Sequence, residues 1–364
     1  MLRAFLIRLI GNKKKKEFDI KKIHRILIPG GRVGDIIVKT PMLRVLSKLN
    51  NDVKIDISVE KGCESLVKYH PNINKILVSE KKPSKIKIIK ISMGIISALK
   101  IRKKYDLCFD FTRNPRFFHL LTMRVLDARY LVGCYRTEKF GIKKDELTLF
   151  DKYIDMSKQD HAVDINMNAL KDFGVDISNR NYELYLGNLE EKYKNFFDKE
   201  RINIIYNFLG STPKRSLSEE DFNYFLKEIP KLDTKIVLYV LTIPSKYEEV
   251  KKLIEKLNKE NIKILPKTES ILEAAAILKY SDMLFSVDTG IVHVASVYNI
   301  PIVAIYTEDK STLTIFAPKS KEHSIIVGKK EDFLRGFDKN TVKNEILKMA
   351  KKVEKMKNEE ESNI

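Results

Sequence analysis

A short stretch with three glycines and one carboxylate is where the sequence indicates chemistry most strongly. An apolar run at residues 26–28 is followed by the glycines and then by Asp35. The glycines are Gly30, Gly31 and Gly34. Glycines let a ligand approach the main chain, and the start of a helix attracts negative charge. Asp35 therefore has two candidate roles: it caps the following helix, or it accepts a proton as a general base.

A second candidate site begins where a later apolar run ends in the pattern Asp-Thr-Gly-x-x-His. Its residues are Asp288, Thr289, Gly290 and His293. Free amides at a helix start favour anionic groups, and a carboxylate beside them can accept hydrogen bonds from sugar hydroxyls. The same pattern is also a common helix start, in which Asp288 would only be a cap.

A third candidate lies after the first apolar run of the second half of the chain. Small hydroxyl residues, Ser211 and Thr212, follow Gly210 and precede Lys214. Such a loop suits phosphate binding, although the Walker A spacing is absent. The alternative is a solvated Lys-Arg pair formed by Lys214 and Arg215.

The sequence predicts no metal and no cofactor. It contains no Asp-x-Asp pair and no cluster of histidines and carboxylates suited to Mg²⁺ or Mn²⁺ beside a diphosphate. If a phosphate leaves in the reaction, cations and helix ends are expected to stabilise it.

Alternating strand-like and helix-like stretches must position these residues. Short apolar runs alternate with amphipathic segments, which predicts α/β domains with parallel sheets. The opening helix is expected to run to about residue 49, with Pro41 kinking it or ending its first turn. We predict an N-terminal extension at 1–22, domains at 23–185 and 186–335, and a C-terminal helix and tail at 336–364. Two such domains are expected to bind a ligand in the cleft between them.

Composition favours an anionic partner. The chain has 68 Lys and Arg against 49 Asp and Glu, a formal net charge of +19, although an AT-rich genome also enriches lysine. No nucleic-acid-binding motif appears, so nucleic acid is not the predicted partner. No apolar run approaches the ~20 residues of a membrane span. Three scattered cysteines fit a reducing cytoplasm.

The N-terminus and one basic stretch carry the membrane prediction. Four apolar residues of the first ten could form one helix face beside basic side chains, which suits an anchor on an anionic membrane. The alternative is a helix packed on the protein's own surface. Residues 81–90 form a basic loop that could face the same surface. The apolar residues are Leu2, Phe5, Leu6 and Leu9, and the basic ones are Arg3, Arg8 and Lys13 to Lys16.

The ordered set of motifs resembles the glycosyltransferase family 9 heptosyltransferases from about residue 25 to about residue 305. The family pattern of Gly-Asp and a later proline is met at Gly34, Asp35 and Pro41, and its Asp-Thr-Gly-x-x-His element is complete. A looser match is Tyr105-Asp106 with Asp110 and Asn114. His161-Ala162-Val163-Asp164 resembles the family's His-x-Val-(Asp/Glu) helix.

The resemblance implies a GT-B fold, in which two Rossmann-like doubly wound domains face each other across a cleft. It implies inverting, metal-independent transfer of heptose from ADP-heptose to the lipopolysaccharide inner core, with Kdo or heptose as acceptor. The enzyme would be cytoplasmic and peripheral on the inner membrane, and would take a lipid-linked anionic acceptor.

The resemblance also assigns roles to individual residues. Asp35 would be the general base. The donor and its phosphates would contact Ser211, Thr212, Lys214, Asp288, Thr289 and Gly290, with His293 supporting them. The acceptor side would comprise Gly31, Arg32, Gly34, Asn114 and Arg116.

The sequence departs from the family pattern at residues that, in the family, lie near the nucleotide. Ser216-Leu217 stand where the family has Trp-Pro, and Thr242 to Lys246 lack the acidic residue that contacts the nucleoside, with Glu248 nearby. Three alternatives follow: another nucleotide sugar, a nucleotide-sugar epimerase of the same fold, or a non-catalytic protein that binds anionic lipid.

Overall fold

The computed structural model describes residues 2–79, 87–112, 115–133, 141–143, 146–154 and 160–362 of the 364-residue chain. The chain divides into two compact units, Met1–Tyr182 and Glu183–Ile364. Asn114 and most of the basic loop at 81–90 lie outside the described residues.

The described part of the first unit contains a parallel sheet of six strands. Its strands are β1 Arg25–Gly31, β2 Lys54–Glu60, β3 Lys75–Ser79, β4 Leu107–Asp110, β5 Tyr130–Gly133 and β6 Lys152–Tyr153. Its helices are α1 Leu2–Gly11, α2 Val33–Ile37, α3 Thr40–Leu46, α4 Lys87–Lys100, α5 Phe117–Leu126 and α6 Ala162–Asn168. The strand order is β3-β2-β1-β4-β5-β6.

The second unit repeats this plan. Its strands are β7 Ile202–Asn207, β8 Ile236–Leu241, β9 Ile262–Ile264, β10 Met283–Val287, β11 Ile302–Thr307, β12 His323–Lys330 and β13 Leu334–Arg335. Its helices are α7 Leu189–Lys192, α8 Glu219–Glu228, α9 Tyr247–Leu257, α10 Ile271–Leu278, α11 Gly290–Val297, α12 Lys310–Ile315 and α13 Lys339–Glu361. The strand order is β13-β12-β11-β10-β7-β8-β9, and only the β12–β13 pair is antiparallel in the described residues.

Each sheet reverses its strand order between two central strands. The reversal lies between β1 and β4 in the first unit and between β7 and β10 in the second. In open α/β sheets the crevice beyond the carboxyl ends of such a strand pair is the usual ligand site. The segments that follow these four strands are therefore the first places to look for function.

Buried apolar strands explain why both sheets form. The strands β7 and β10 are buried at every position, as expected for parallel strands covered by helices on both faces. The core of the second unit also includes the inner face of α13, through Val342, Ile346 and Val353. The C-terminal helix is thus part of the second unit and not a separate segment.

The N-terminal helix packs on the first unit. Ile7 and Ile10 of α1 are buried, whereas Leu2, Phe5 and Leu9 are exposed. The exposure of these three side chains agrees with the predicted apolar face, and the buried isoleucines agree with the alternative of a packed helix. One face of α1 therefore packs on the first unit, and the other face carries the exposed apolar side chains. Binding of that exposed face to a membrane stays a prediction.

Three of the basic residues assigned to the N-terminal anchor are paired within the first unit. Arg8 pairs with Glu146 at 3.0 Å. Lys13 is buried and its ammonium lies 2.7 Å from the buried carboxylate of Asp151. Lys16 pairs with Asp127 at 2.9 Å. Lys13 is therefore a structural residue, and assigning it to a membrane contact was wrong.

No helix in the described part of the chain is both long and apolar enough to cross a membrane.

Candidate functional site

The turn after β1 is shaped by two glycines. The pairing of β1 with β2 shifts between Pro29 and Gly31, which forms a bulge at Gly30. A Cβ at Gly30 would lie 2.9 Å from the main-chain oxygen of Ser58, and Gly31 has φ +82°. A side chain would be strained at either position, so glycine is required at Gly30 by the close approach of β2 and at Gly31 by its positive φ and by Asp35.

Asp35 lies in the first turn of α2 and not at its N-cap. The N-cap residue is Arg32, whose main-chain N–H donates to Oδ2 of Asp35 at 3.3 Å. The other carboxylate oxygen, Oδ1, accepts no hydrogen bond from the residues that the structure describes. Asp35 is half-buried, so its carboxylate both stabilises the helix start and keeps an acceptor for a proton. The sequence predicted that Gly34 and Asp35 precede the helix. This prediction is wrong, because α2 already begins at Val33.

Lys39 lies against this turn, and no site role was predicted for it. Its buried ammonium donates to the main-chain oxygen of Asp35 at 3.1 Å and to that of Gly30 at 3.3 Å. Burial lowers the pKa of Lys39, and the charge of Asp35 opposes that shift. A lone lysine among apolar residues of the opening helix was the sequence signal for this position.

The break between α2 and α3 is held by further side chains. Pro41 has no N–H, and the oxygen of Ile37 instead accepts from the hydroxyl of Thr40 at 2.8 Å. The oxygen of Val38 accepts from the amide of Asn166 at 3.1 Å. The prediction that Pro41 interrupts the opening helix is confirmed, and α6 supports the interruption through Asn166.

The His161-Ala162-Val163-Asp164 match has a structural role in the first unit. His161 is the N-cap of α6, and its ring nitrogen accepts from the N–H of Val163 at 3.2 Å. Asp164 forms an ion pair with Arg180. The helix begins at Ala162 and ends at Asn168.

A carboxylate–imidazole pair lies at the carboxyl end of β4, the strand beside β1. Oδ2 of the buried Asp110 lies 2.7 Å from Nε2 of His119 on α5. Burial alone would lower the pKa of His119, but the hydrogen bond and charge of Asp110 outweigh it and raise that pKa above its ordinary value. The loose match at Asp110 thus marks a real feature, although His119 was not a predicted site residue.

The remaining acceptor-side candidates are more exposed. Arg32 pairs through Nε with Glu60 at 3.1 Å. Arg116 is the exposed N-cap residue of α5, which follows β4. The structure thus brings Gly31, Arg32 and Asp35 together in one turn and places Arg116 on a neighbouring element.

In the second unit the two predicted donor segments follow neighbouring strands. β7 and β10 pair in parallel, with Asn207 opposite Ser286, and the amide of Asn207 donates to the hydroxyl of Ser286 at 3.0 Å. The loop containing Lys214 and the helix start containing Asp288 consequently leave the same edge of the sheet. These two sequence-distant segments form one site.

The loop after β7 is tightly closed. The hydroxyl of Ser216 accepts from the N–H of Gly210 and donates to the main-chain oxygen of Thr212, both at 3.0 Å. A Cβ at Gly210 would lie 2.4 Å from the oxygen of Arg215. The main chain of the loop is therefore held closed by Ser216. The exposed residues at the tip are Ser211, Thr212, Pro213 and Lys214.

Arg215 joins the loop to the Asp-Thr-Gly segment. Its NH1 lies 3.2 Å from Oδ2 of the buried Asp288. Burial raises the pKa of Asp288, and the guanidinium of Arg215 opposes that shift. Arg215 was predicted only as half of a solvated basic pair, and its position beside Lys214 was the available signal in the sequence.

The start of α11 corrects the simplest reading of Asp288. The N-cap residue of α11 is Thr289, and Asp288 precedes it as an ion-pair partner of Arg215. Thr289 and Gly290 are half-buried at the helix start. His293 is buried one turn further on, with its ring edge towards Phe316 at 5.8 Å between centroids. His293 therefore packs in the interior behind the helix start.

A cavity of about 590 Å³ opens beside this loop within the second unit. Its rim includes Ser211, Thr212 and Lys246, and its walls include Phe222 and Phe333. Glu249 also lines it, one residue after the Glu248 that sequence analysis singled out near the nucleoside-binding element. The cavity combines an apolar interior with a polar rim, as small-molecule sites commonly do.

Metal ligands do not cluster in the described part of the chain. No group of three or more His, Cys, Asp or Glu side chains is arranged there to hold an ion.

Comparison with known proteins assigns the family. The family model described as glycosyltransferase family 9 (heptosyltransferase) matches residues 131–346, more than half of the chain. The putative lipopolysaccharide heptosyltransferase 4 of Escherichia coli K12 is 25% identical over 368 aligned positions, covering 95% of this chain and 93% of that protein.

Solved structures show the fold. The ADP-heptose lps heptosyltransferase II of E. coli aligns with a TM-score of 0.66 at 16% identity, covering 90% of this chain and 98% of that one. The E. coli heptosyltransferase WaaC with ADP aligns with a TM-score of 0.65 at 19% identity, covering 89% and 99%. At these identities the likeness establishes the fold alone, which is GT-B. The chain belongs to glycosyltransferase family 9, the heptosyltransferase family, and is a glycosyltransferase.

Proposed function

We propose that this protein transfers heptose from ADP-heptose to the inner core of lipopolysaccharide, with inversion at the anomeric carbon and without a metal. The relative in E. coli is named as a lipopolysaccharide heptosyltransferase, and related structures are titled with ADP and with an ADP-heptose analogue. These names supply the donor and acceptor classes. The observation that carries the proposal is the contact between Arg215 and Asp288.

The second unit would bind the donor. The 3.2 Å contact between Arg215 and Asp288 joins the exposed Lys214 loop to the start of α11. A diphosphate at this edge would meet the ammonium of Lys214, the hydroxyls of Ser211 and Thr212 and the free amides at the helix start. The donor sugar would exchange hydrogen bonds with Asp288, Thr289 and Gly290, whose carboxylate accepts and whose N–H and hydroxyl groups donate. Positive charge would then stand where the leaving group gains negative charge.

The first unit would bind the acceptor and supply the base. An inverting transfer needs one group to take the proton of the acceptor hydroxyl as it attacks the anomeric carbon. Asp35 retains one carboxylate oxygen for that purpose in a turn opened by glycines. Gly31, Arg32, Gly34, Asn114 and Arg116 would line the acceptor side. The basic residues there suit an acceptor that carries carboxylates or phosphates.

The proposed location of the enzyme is the cytoplasmic face of the inner membrane. The exposed apolar side chains of Leu2, Phe5 and Leu9 on α1 support peripheral binding to lipid. The net charge of +19 supports an anionic partner, and the lack of a nucleic-acid-binding motif in the sequence favours an anionic lipid surface and a lipid-linked anionic acceptor over nucleic acid.

One specific observation supports a different nucleotide sugar as a second candidate donor. The nucleoside-binding element lacks its acidic residue, and Lys246 and Glu249 line the cavity beside it. A family member with these residues could take a nucleotide sugar with another base or sugar.

The test is a transfer assay with product mass. The purified chain is incubated with a panel of nucleotide sugars and with lipid acceptors bearing Kdo or Kdo and heptose. We expect a mass gain of one heptose only with ADP-heptose, an inverted anomeric configuration and an unchanged rate after EDTA. Transfer from another donor would move the function to that donor. Conversion of a donor without acceptor would indicate an epimerase, and vesicle binding without transfer would indicate a lipid-binding protein.

A further inference from the structure

We infer that the membrane-docking surface of this protein is formed by three helices of the first unit, α1, α4 and α5, and not by the N-terminal helix alone. The inference deepens the proposed peripheral location and rests on it. The docking surface consists of the outward-facing apolar side chains of these helices. They are Leu2, Phe5 and Leu9 on α1, Ile96 and Leu99 on α4, and Phe118 on α5.

The exposure of these six side chains is unusual because large apolar residues are normally scattered singly on a surface. Each of the six is between 44% and 72% exposed. In the described part of the chain they make up half of the exposed large apolar residues, and all six belong to three helices.

The three helices lie side by side over one core. Helix α5 contacts both α1 and α4. Ile7 of α1, Ala98 of α4 and Leu120 of α5 belong to the same buried cluster. Because each helix buries its inner face in that cluster, the outer faces lie on the same side of the sheet.

The contact between α4 and α5 makes the surface continuous. A Cβ at Gly94 of α4 would lie 3.8 Å from the hydroxyl of Thr122 on α5. Phe118 is one helical turn before Thr122, and its main-chain oxygen accepts from that hydroxyl at 2.8 Å. Ile96 and Leu99 follow Gly94 along α4. The exposed side chains therefore flank a single helix–helix contact.

Charge identifies the partner. The sequences of α1, α4 and α5 contain no Asp or Glu, although 49 of the 364 residues are acidic. Exposed Arg102, Lys103 and Lys104 follow α4, and the N–H of Lys103 donates to the oxygen of Leu126 at the end of α5. Apolar side chains bordered by cations, without carboxylates, match the interface of an anionic bilayer.

Two nearby carboxylates do not weaken this match. Glu146 is paired with Arg8 of α1 at 3.0 Å, and Asp127, the residue after α5, is paired with Lys16 at 2.9 Å. Their charges are compensated by cations of the same unit. An apolar protein partner would not require the exclusion of acidic residues from three separate helices.

The first experiment measures flotation of the full-length protein with vesicles rich in phosphatidylglycerol and with vesicles of phosphatidylcholine, at low and high salt. The test variant is Ile96→Ser/Leu99→Ser, which leaves α1 intact. We expect its binding to anionic vesicles to fall at least about tenfold. Met356→Ser, which removes an exposed apolar side chain from α13 of the second unit, is the matched control and should bind as the parent does. Equal binding by the α4 variant and the parent would overturn the inference.

A second measurement does not depend on removing apolar side chains. The chain contains no tryptophan, so Phe118→Trp provides a single fluorescent reporter on α5. We expect its emission to shift to shorter wavelength with anionic vesicles and to be quenched by brominated lipid, whereas Met356→Trp should not respond. A reporter that changes on self-association in the absence of vesicles, or only with a protein partner, would contradict a lipid surface.

The outcome can be separated from that of the proposed transfer reaction. ADP binding and heptose transfer are measured on the same variants. A chain that docks through the three helices but transfers no heptose would overturn the proposed function and leave the docking surface intact. A chain that transfers heptose to a soluble acceptor but does not bind vesicles would overturn only the inference of a docking surface.

Discussion

The ammonium of Lys39 lies 3.1 Å from the main-chain oxygen of Asp35. The carboxylate of the same residue, Asp35, is the proposed base. The same nitrogen lies 3.3 Å from the oxygen of Gly30, at the end of β1. One buried cation therefore connects both sides of the glycine turn. It also lies 5.4 Å from the ring centroid of Phe111, just beyond β4. The position of Asp35 thus depends on a side chain that does not itself reach the solvent.

Lys39→Met should impair the turn more than the overall fold. The variant keeps the apolar stem but leaves the oxygens of Asp35 and Gly30 without their donor. We expect kcat to fall about tenfold or more, with little change in KM for the donor, and stability to fall by about 1–3 kcal/mol. Thr40→Val is the matched control, since it removes a hydrogen bond at the same helix break without removing charge. Equal kinetic losses in both variants would refute a specific role for Lys39.

Asp35→Asn should separate catalysis from folding. The amide oxygen can still accept from the N–H of Arg32, so the start of α2 is retained. Loss of a general base typically lowers the rate by about 10²–10⁴-fold, and we expect kcat to fall in that range. ADP binding by calorimetry should be unchanged because the proposed donor site belongs to the second unit. Near-normal transfer by Asp35→Asn would remove the residue from the catalytic role.

Lys214→Met should weaken binding of the diphosphate and not of the nucleoside. The ammonium is at the exposed tip of the closed loop, where a phosphate would form a charge-assisted hydrogen bond. We expect affinity for ADP to fall about tenfold or more, with binding of adenosine unchanged. Lys227→Met, in the last turn of α8, serves as the matched control. Equal losses for ADP and adenosine would place Lys214 elsewhere in the site.

Arg215→Met should leave the buried Asp288 without its cation. We expect stability to fall by about 1–3 kcal/mol, because an unpaired buried carboxylate is costly, and ADP affinity to fall with it. Adding Asp288→Asn should recover part of the stability, since the neutral amide needs no counter-charge. Denaturant unfolding of the single and double variants measures the coupling. Strictly additive effects would show that the 3.2 Å contact carries no interaction energy.

The Asp110–His119 pair should make stability depend on pH. The pKa of His119 is raised in the folded state, so the folded state holds the proton more tightly than the unfolded chain does. The resulting stabilisation is fully present below the unfolded pKa of about 6.5 and is lost as pH rises through the folded value. His119→Gln removes this contribution. We expect the difference in unfolding free energy between parent and variant to shrink by roughly 1 kcal/mol between about pH 5.5 and about pH 8.5.

That trend is measured by urea unfolding across the pH range, with His24→Gln as a control outside the pair. A difference that is constant with pH, or that grows towards alkaline pH, would contradict the raised pKa of His119.

The sequence by itself determined which segments could carry function. Alternating apolar runs predicted two α/β units, because parallel strands covered on both faces must be continuously apolar. The glycines before Asp35 predicted close main-chain approach, and Asp-Thr-Gly predicted a helix start. These features depend on residues adjacent in the chain, so local patterns are sufficient to reveal them.

Only the tertiary structure decided which distant residues meet. Parallel pairing of β7 with β10 brings Arg215 to Asp288, and packing of α5 against α1 and α4 gathers the exposed apolar side chains on one surface. Burial likewise decided that Lys39 binds the oxygen of Asp35 and that Lys13 pairs with Asp151. Strand order and helix packing are set by crossover connections and by the shared core, and no local periodicity specifies them.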